Sequence, residues 1–294
     1  MKILLAVDHS AASEAAVSAV ALRPWPSGTT VEVLGVVEPP EDLDVSQILE
    51  EINRRTGELV DRAAEQLRSC GLNATPLVLP GDPKDVIVNR AGEIKADFAV
   101  VGSHGASGLT RFLLGSVAGA VVRFAPCSVE VVRGLAAQRA LKILLATDGS
   151  DSSVRAARSI AARPWPHGTE VRILSAVEMA LSTFQAMLEP PFADTAAMEA
   201  LREQAMKQSQ DAIRTAEEIV TGAGLKASED ISVLLESPKQ IILDEARQWG
   251  ADLIVVGSHG RRGINRFLLG GASQAVAMHA ECSVEVIRGS DPLE

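Results

Sequence analysis

The chain states nearly everything twice. Residues 100–133 read VVGSHGASGLTRFLLGSVAGAVVRFAPCSVEVVR, and residues 255–288 read VVGSHGRRGINRFLLGGASQAVAMHAECSVEVIR. KILLAVDHS at 2–10 returns as KILLATDGS at 142–150, and LRPWPSGTTVEVL at 22–34 returns as ARPWPHGTEVRIL at 162–174. The offset is 140 residues at the start of each copy and 155 at the glycine-rich stretch, so the second copy carries about fifteen extra residues. A period this long is a duplicated domain and not a solenoid repeat. Each copy is long enough to bury its own core. We expect units at residues 1–136 and 140–289. The join between them is short and not rich in Gly or Ser, which predicts halves packed together rather than tethered loosely.

Composition narrows the function classes. Apolar residues make up 47% and charged residues 22%, as in ordinary globular domains. No run approaches the ~18 apolar residues of a membrane span. The opening MKILLAVDHS has a short apolar run and no small-residue cleavage site, so it reads as a first strand, and a cytoplasmic setting is expected. A net charge of −10 argues against a nucleic-acid partner, which needs a basic face. Tyrosine is absent and aromatics are 3%, leaving little on which bases could stack. The three cysteines, Cys70, Cys127 and Cys282, form no CxxC pair, so neither a disulfide framework nor a zinc site is indicated. Cys127 and Cys282 hold equivalent places and read as small buried apolar residues.

Within a copy, strands alternate with helices. Residues 3–7 are a continuous apolar run, as in a strand covered on both faces. Ser10 or Ser13 is placed to cap a helix reaching Leu22. Pro24 and Pro26 break the chain, and residues 30–37 read as a second strand. Residues 46–70 have helical spacing, with Ile48, Ile52, Leu59, Ala63 and Leu67 on one face. A third strand (75–79), a third helix (83–94), a fourth strand (98–101), a helix from Ser116 to Phe124 and a fifth strand (128–132) complete the copy. Five strands alternating with four helices imply an α/β fold, a parallel sheet with helices on both faces. The second copy repeats the pattern with an enlarged, Met-rich stretch, residues 179–206, ahead of its long helix. That stretch reads as satellite core, with a lid or contact surface as the alternative.

In such open sheets, ligands bind beyond the carboxyl ends of the strands where strand order reverses. For an order of 3-2-1-4-5, that point lies between strands one and four. Asp8 follows strand one, or Asp148 in the second copy. Strand four leads into Gly102, Gly105 and Gly115, matched by Gly257, Gly260 and Gly270. Glycines between a strand and a helix can cradle phosphate. The loop is not a Walker A motif, because no lysine follows the glycines, and it lacks the G-x-G-x-x-G fingerprint. It does not match the G-x-S-x-G elbow either, since Val101 and Val256 stand two before Ser103 and Ser258. A Ser103–His104–Asp8 triad is weak, because adjacent Ser and His side chains readily point apart. His104 and His259 are read as loop-shaping or solvent-facing rather than catalytic.

What remains is G-x2-G-x9-G-[S/T], complete in the first copy as Gly102, Gly105, Gly115 and Ser116. Together with AVDHS after the first strand and APCSVEVVR at the end, it closely resembles the universal stress protein family, twice, as in that family's tandem members. The resemblance implies a sheet of adenine nucleotide α-hydrolase or flavodoxin-like order and a bound ATP or AMP, with Mg as a further candidate. Phosphates would lie on backbone N–H groups around Gly102, Gly105, Gly115, Ser116 and Val117, with the Ser116 hydroxyl donating. Asp8 would accept from a ribose hydroxyl or help hold a metal, and Ala6 and Val36 would flank adenine. The second-copy equivalents are Ala146, Asp148, Ala176, Gly257, Gly260 and Gly270.

There the second copy departs. Gly271 replaces Ser116, so the hydroxyl is lost, and Glu236 is placed to repel phosphate. Arg261 and Arg262 read as solvated loop charge, with phosphate pairing as the alternative. The first copy is therefore expected to bind nucleotide more reliably. The resemblance also implies that the fifth strands pair the two copies within one chain, with a further homodimer as an added expectation. Three function classes stay open: a nucleotide-binding regulatory protein with slow ATP hydrolysis at most, a nucleotide-independent scaffold, and an ATP-consuming enzyme, for which no acid, base or substrate-recognition set is evident.

Overall fold

A computed structural model of the protein describes residues 1–39, 46–104, 114–134, 139–178, 195–234, 237–260 and 269–289. The first copy runs β1 (Lys2–Val7), α1 (Ala11–Leu22), β2 (Thr30–Val37), α2 (Ser46–Ser69), β3 (Asn73–Pro80), α3 (Pro83–Glu93), β4 (Phe98–Gly102), α4 (Ser116–Phe124) and β5 (Ser128–Val132). The second runs β6 (Lys142–Ala146), α5 (Asp151–Ala161), β7 (Glu170–Glu178), α6 (Thr195–Gly222), β8 (Lys226–Leu234), α7 (Pro238–Trp249), β9 (Leu253–Gly257), α8 (Gly271–His279) and β10 (Ser283–Ile287). All ten strands form one sheet, ordered β3-β2-β1-β4-β5-β10-β9-β6-β7-β8. Each copy has the expected α/β architecture and the 3-2-1-4-5 order.

The continuous apolar strands have a simple cause. Along β1, Ile3, Leu5 and Val7 join one core with Ala16 and Val20 of α1 and Ala64 and Leu67 of α2. Leu4 points into the opposite core with Ile87 of α3 and Val121 and Val122 of α4. Helices thus cover both faces, and alternation has no polar side to show. On α2 the expected apolar face is only partly buried. Val60, Ala63, Ala64 and Leu67 pack, whereas Ile48 and Ile52 are 58% and 39% exposed. The helix meets the sheet at Gly35, where an added Cβ would lie 2.5 Å from Thr56 Cγ2, so the turns before Thr56 fall outside the packed face. Residues 195–206 belong to α6 itself rather than preceding it. Residues 179–194, with Phe184 and Phe192, lie outside the described residues.

Strands are parallel within a copy, and β5 and β10 run antiparallel with Glu130 directly opposite Glu285. Two facing carboxylates in a buried ribbon need cations. Arg23, at the C-cap of α1, donates to both oxygens of Glu130 at 2.7 and 2.6 Å and to Glu285 at 3.0 Å. Arg163, its equivalent after α5, donates to both oxygens of Glu285 at 2.8 and 2.6 Å. The side chains are 9% exposed for Arg23, 1% for Arg163, 1% for Glu130 and 0% for Glu285, so the quartet is sealed. Its guanidiniums lie 5.3 Å from the ring centre of Trp25 (Arg23) and 4.7 Å from that of Trp165 (Arg163). This is what the repeated Arg-Pro-Trp-Pro sequence builds.

A second reciprocal device flanks the quartet. Arg288, after β10, crosses to the first copy and donates to the carbonyls of Val122 (2.7 Å), Arg123 (3.0 Å) and Ala125 at the end of α4. Arg133, after β5, crosses the other way to the carbonyls of Ala277 and Cys282. Each guanidinium thereby satisfies at least one helix-end carbonyl that has no intrahelical donor, Val122 for Arg288 and Ala277 for Arg133. Burial pushes the thiols of Cys127 and Cys282 up to about 11, in keeping with an apolar role, although Cys282 is only half-buried.

The outer strands are guarded. Within β3, Pro76 and Pro80 cannot donate to a further ladder, and β8 carries Lys226 and Glu229. Lys95, just past α3, has φ +51°, whereas its second-copy equivalent is Gly250 at φ +69°. A side chain in the left-handed region is strained by roughly 1 kcal/mol. Lys95→Gly is therefore expected to stabilise the protein by about 0.5–1 kcal/mol, read as a higher urea midpoint at unchanged slope; an unmoved or lowered midpoint would refute the strain.

Candidate functional site

The strand reversal between β1 and β4 opens a cleft of about 460 Å³ at the carboxyl end of the first copy's sheet. Ala6, Asp8, Val36, Gly102, Gly115, Ser116 and Val117 all line it, so the described first-copy candidates meet in one place. Gly105 lies outside the described residues, as do Glu236, Arg261 and Arg262. Leu34 and Ile87 add apolar wall beside Ala6 and Val36, and Glu38, Asp82 and Lys84 add charge at the rim.

Two helices begin at this cleft, and they end their backbones differently. On α3, the N-cap Asp82 carboxylate accepts from the Lys84 N–H at 2.8 Å, and Pro83 has no N–H to satisfy. On α4, the N-cap is Gly115, and no side chain caps the helix. Its first intrahelical bond is Gly119 N–H to Gly115 carbonyl at 2.8 Å. The amides of Ser116, Val117 and Ala118 thus precede the first intrahelical donor, and all three residues line the cleft. Open amides at the positive end of a helix favour an anion. In the second copy, α8 begins in the same uncapped way at Gly270, with Gly271 in place of Ser116.

Two glycines in each copy do something other than the sequence suggests. The Gly115 N–H is already bonded to the Ser103 carbonyl at 2.8 Å, and Gly270 N–H to Ser258 carbonyl at 2.7 Å. That bond ties the strand end to the helix start and removes the glycine amide from the set of phosphate donors. At Gly102, an added Cβ would lie 2.7 Å from the Ala12 carbonyl carbon, and at Gly257, 2.6 Å from that of Ser152. These glycines let the first turn of α1 or α5 sit directly on the fourth strand. Both shape the cleft, and neither needs a ligand to explain it.

Asp8 is held by its own turn. Its Oδ1 accepts from the Ser10 N–H at 3.1 Å and from the Ser10 hydroxyl at 2.5 Å. The Ser10 oxygen in turn accepts the Ser13 N–H at 3.1 Å, capping α1, and lies 3.1 Å from the His104 carbonyl. Asp148 repeats this with Ser150 at 3.0 and 2.6 Å. An added Cβ at Gly260 would stand 2.8 Å from Asp148 Oδ2, so that glycine admits the carboxylate. Ala146 ends β6 and Ala176 lies on β7, in the register of Ala6 and Val36. No group of three or more His, Cys, Asp or Glu able to hold a metal exists among the described residues. A magnesium ion there would rest mainly on phosphate oxygens.

The serine–histidine pairs behave contrary to expectation. Ser103 and His104 do not point apart: Oγ lies 3.0 Å from Nδ1, and Ser258 and His259 repeat the distance. The other ring nitrogen, Nε2, is buried in both copies, so neither imidazole turns fully to solvent.

A family model described as the Universal stress protein family matches residues 1–133 and 140–288. A universal stress protein of Mycolicibacterium smegmatis is 27% identical over 310 residues, spanning 97% of this chain and 96% of its own length. The crystal structure of a universal stress protein from Archaeoglobus fulgidus superposes with a TM-score of 0.66 at 20% identity, covering 98% of both chains. A universal stress protein solved in complex with cAMP aligns over 52% of this chain at 24% identity and a TM-score of 0.35. Among the described residues, no helix is long and apolar enough to cross a membrane.

Proposed function

The chain belongs to the universal stress protein family, and from that premise we propose that it binds an adenine nucleotide, ATP or AMP, whose presence sets its conformation or its hold on a partner. One observation carries the reading: the uncapped start of α4 brings the open amides of Ser116, Val117 and Ala118 to the wall of the β1/β4 cleft. Phosphate matches those donors, the apolar wall of Ala6, Leu34, Val36 and Ile87 suits a purine, and Asp8 stands near for a ribose hydroxyl. Magnesium enters with the phosphates. In this reading the units are residues 1–136 and 140–289, they stay paired in solution through β5 and β10, and the chain works in the cytoplasm, with a further homodimer as an added element.

A nucleotide-independent scaffold is the second reading. It is favoured by Gly102 and Gly115, whose packing and internal bond account for them without a ligand. Calorimetric titration with ATP and AMP, with and without magnesium, separates the two. We expect at least one site, the first copy's being the tighter. Gly271→Ser, which restores the hydroxyl to the second copy, is expected to tighten that site roughly 10-fold. A second cleft filled while the first stays empty would overturn the assignment, and no heat and no thermal shift at millimolar nucleotide would leave the scaffold reading.

A further inference from the structure

The two seams beside the β5–β10 ribbon are equivalent by the duplication, and one substitution sets them apart. Phe98 and Leu253 hold the same register, opposite Ile3 in the first copy and Ile143 in the second. Arg163 lies 5.1 Å from the centre of the Phe98 ring. At the other seam the smaller Leu253 offers Arg23 no ring, and the two residues line a cavity of about 270 Å³. The cavity lies where the carboxyl end of β5 meets the amino ends of β9 and β10, and it shares no lining residue with the β1/β4 cleft. Arg133 at its wall is half-buried, and Gly134, Arg139 and Glu281 are exposed, so the cavity opens to solvent.

Its charges do not cancel. The lining holds three arginines, Arg23, Arg133 and Arg139, and two acids, Asp252 and Glu281. Arg23 is committed to Glu130 and Glu285. Arg139 donates to both oxygens of Asp252, and Arg247 lies 3.1 Å from Glu281. Arg133 meets carbonyls only: Nη2 donates to Ala277 at 2.5 Å and Nη1 to Cys282 at 3.5 Å, and no carboxylate pairs with it among the described residues. A guanidinium carries five N–H donors, so these two bonds leave it donors for a ligand. Burial without a counter-charge draws Arg133 down to about 10. Its backbone is fixed in place, because the Arg133 N–H donates to Ser283 Oγ at 3.0 Å and that hydroxyl donates to the Arg133 carbonyl at 3.2 Å. Leu22, Leu141, Pro166 and Leu253 make the rest of the wall apolar. At ~30 Å³ for each water-sized group, the space holds roughly nine of them. That is too little for a nucleotide and enough for an anionic head with a short chain.

We propose that this cavity binds a small organic carboxylate with an apolar chain of about four to six carbons, its head on the Arg133 guanidinium and its chain against Leu141 and Leu253. The carboxylate supplies the counter-charge that Arg133 lacks, in the planar geometry that a guanidinium fork matches. The site belongs to the seam between the copies and does not depend on the nucleotide reading.

The test titrates the full chain, labelled in ¹⁵N, with hexanoate, hexanol and inorganic phosphate. Hexanoate is expected to shift the amides of Gly134, Leu253 and Ser283 and to saturate in the millimolar range. Hexanol has no charge and phosphate has no chain, so each should bind at least ~10-fold more weakly. Leu253→Phe puts into this seam the ring that the other already holds, and it should abolish hexanoate binding at an unchanged or higher melting temperature. Arg133→Met is expected to weaken hexanoate roughly 10- to 100-fold, and Arg133→Lys, which keeps the charge, to recover part of the loss. Equal binding of hexanol or phosphate, shifts confined to other parts of the chain, or undiminished binding by Leu253→Phe would each overturn the assignment, as would a wild-type spectrum that hexanoate leaves unchanged. The wild-type titration decides this even if a variant fails to fold.

Discussion

Replacing Glu285 with alanine is expected to destabilise the protein by about 3–5 kcal/mol, the range for breaking a buried ion pair from one side. The reason is the partner left behind. Arg163 is 1% exposed and spends two hydrogen bonds on Glu285, while Arg23 contributes a third. Without Glu285 the quartet holds two guanidiniums and one carboxylate with no water to share the excess charge. Urea unfolding measures the loss. The double variant Arg163→Met/Glu285→Leu should recover most of it, because the unpaired charge is removed together with its partner. If Glu285→Ala unfolds at the wild-type midpoint, the quartet does not hold the copies together.

The same group sets a pH dependence. Burial alone would push the Glu285 carboxyl up, but Arg163, and then Arg23, outweigh it and hold the group below its ordinary value. A carboxyl depressed in the folded state adds stability above the ordinary carboxylate range, and that contribution is lost as pH falls through the depressed folded value. The wild-type protein should therefore lose stability as the pH drops below roughly 4. Glu285→Gln, starting from a lower plateau, should lack this share of the acid loss; parallel acid profiles for the two proteins would contradict the assignment.

The second large effect concerns ligand binding. Ser116→Asp should abolish nucleotide binding in the first cleft, weakening ATP at least ~100-fold, because a carboxylate then competes with phosphate for the α4 amides and repels it at close range. The fold should not suffer. An acidic side chain in the first turn of a helix contributes roughly 0.3–1 kcal/mol in its favour, so the melting temperature of the unliganded protein should hold or rise. Loss of affinity with retained stability is a pattern that general damage does not produce. Undiminished ATP binding by Ser116→Asp would show that the phosphates lie elsewhere.

The strands, their order and the convergence on the β1/β4 cleft are legible in the sequence because each leaves a local trace. Apolar runs mark strands covered on both faces, and β/α alternation forces a parallel sheet whose reversal point is a crevice. What the sequence conceals is where distant groups meet. Arg23 and Glu130 are 107 residues apart, and no periodicity links them. The repeated Arg-Pro-Trp-Pro reads as a helix stop, which it is, while its arginine serves the far end of the fold. The available clue was a glutamate recurring in two otherwise apolar strands, S-V-E-V-V and S-V-E-V-I, alongside an arginine recurring elsewhere. The glycines mislead for the opposite reason. Gly102 and Gly115 look like phosphate donors, but the tight seat of α1 and the bond to Ser103 explain them, and the open donors fall one to three positions later. The Ser103–His104 bond depends on side-chain rotamers that sequence spacing does not determine.

A symmetric pair of separate, identical subunits must write each substitution into both partners at once. Fusing the two into one polypeptide lifts that constraint while the shared ribbon of β5 and β10 keeps them together. The two halves already differ: Lys95 against Gly250, Ser116 against Gly271, and an ion quartet in which Arg23 reaches both glutamates while Arg163 reaches one. One crevice can thus change without the same change being forced on its twin. Under the nucleotide proposal, one such molecule would answer to two concentration thresholds where a pair of identical subunits would answer to one.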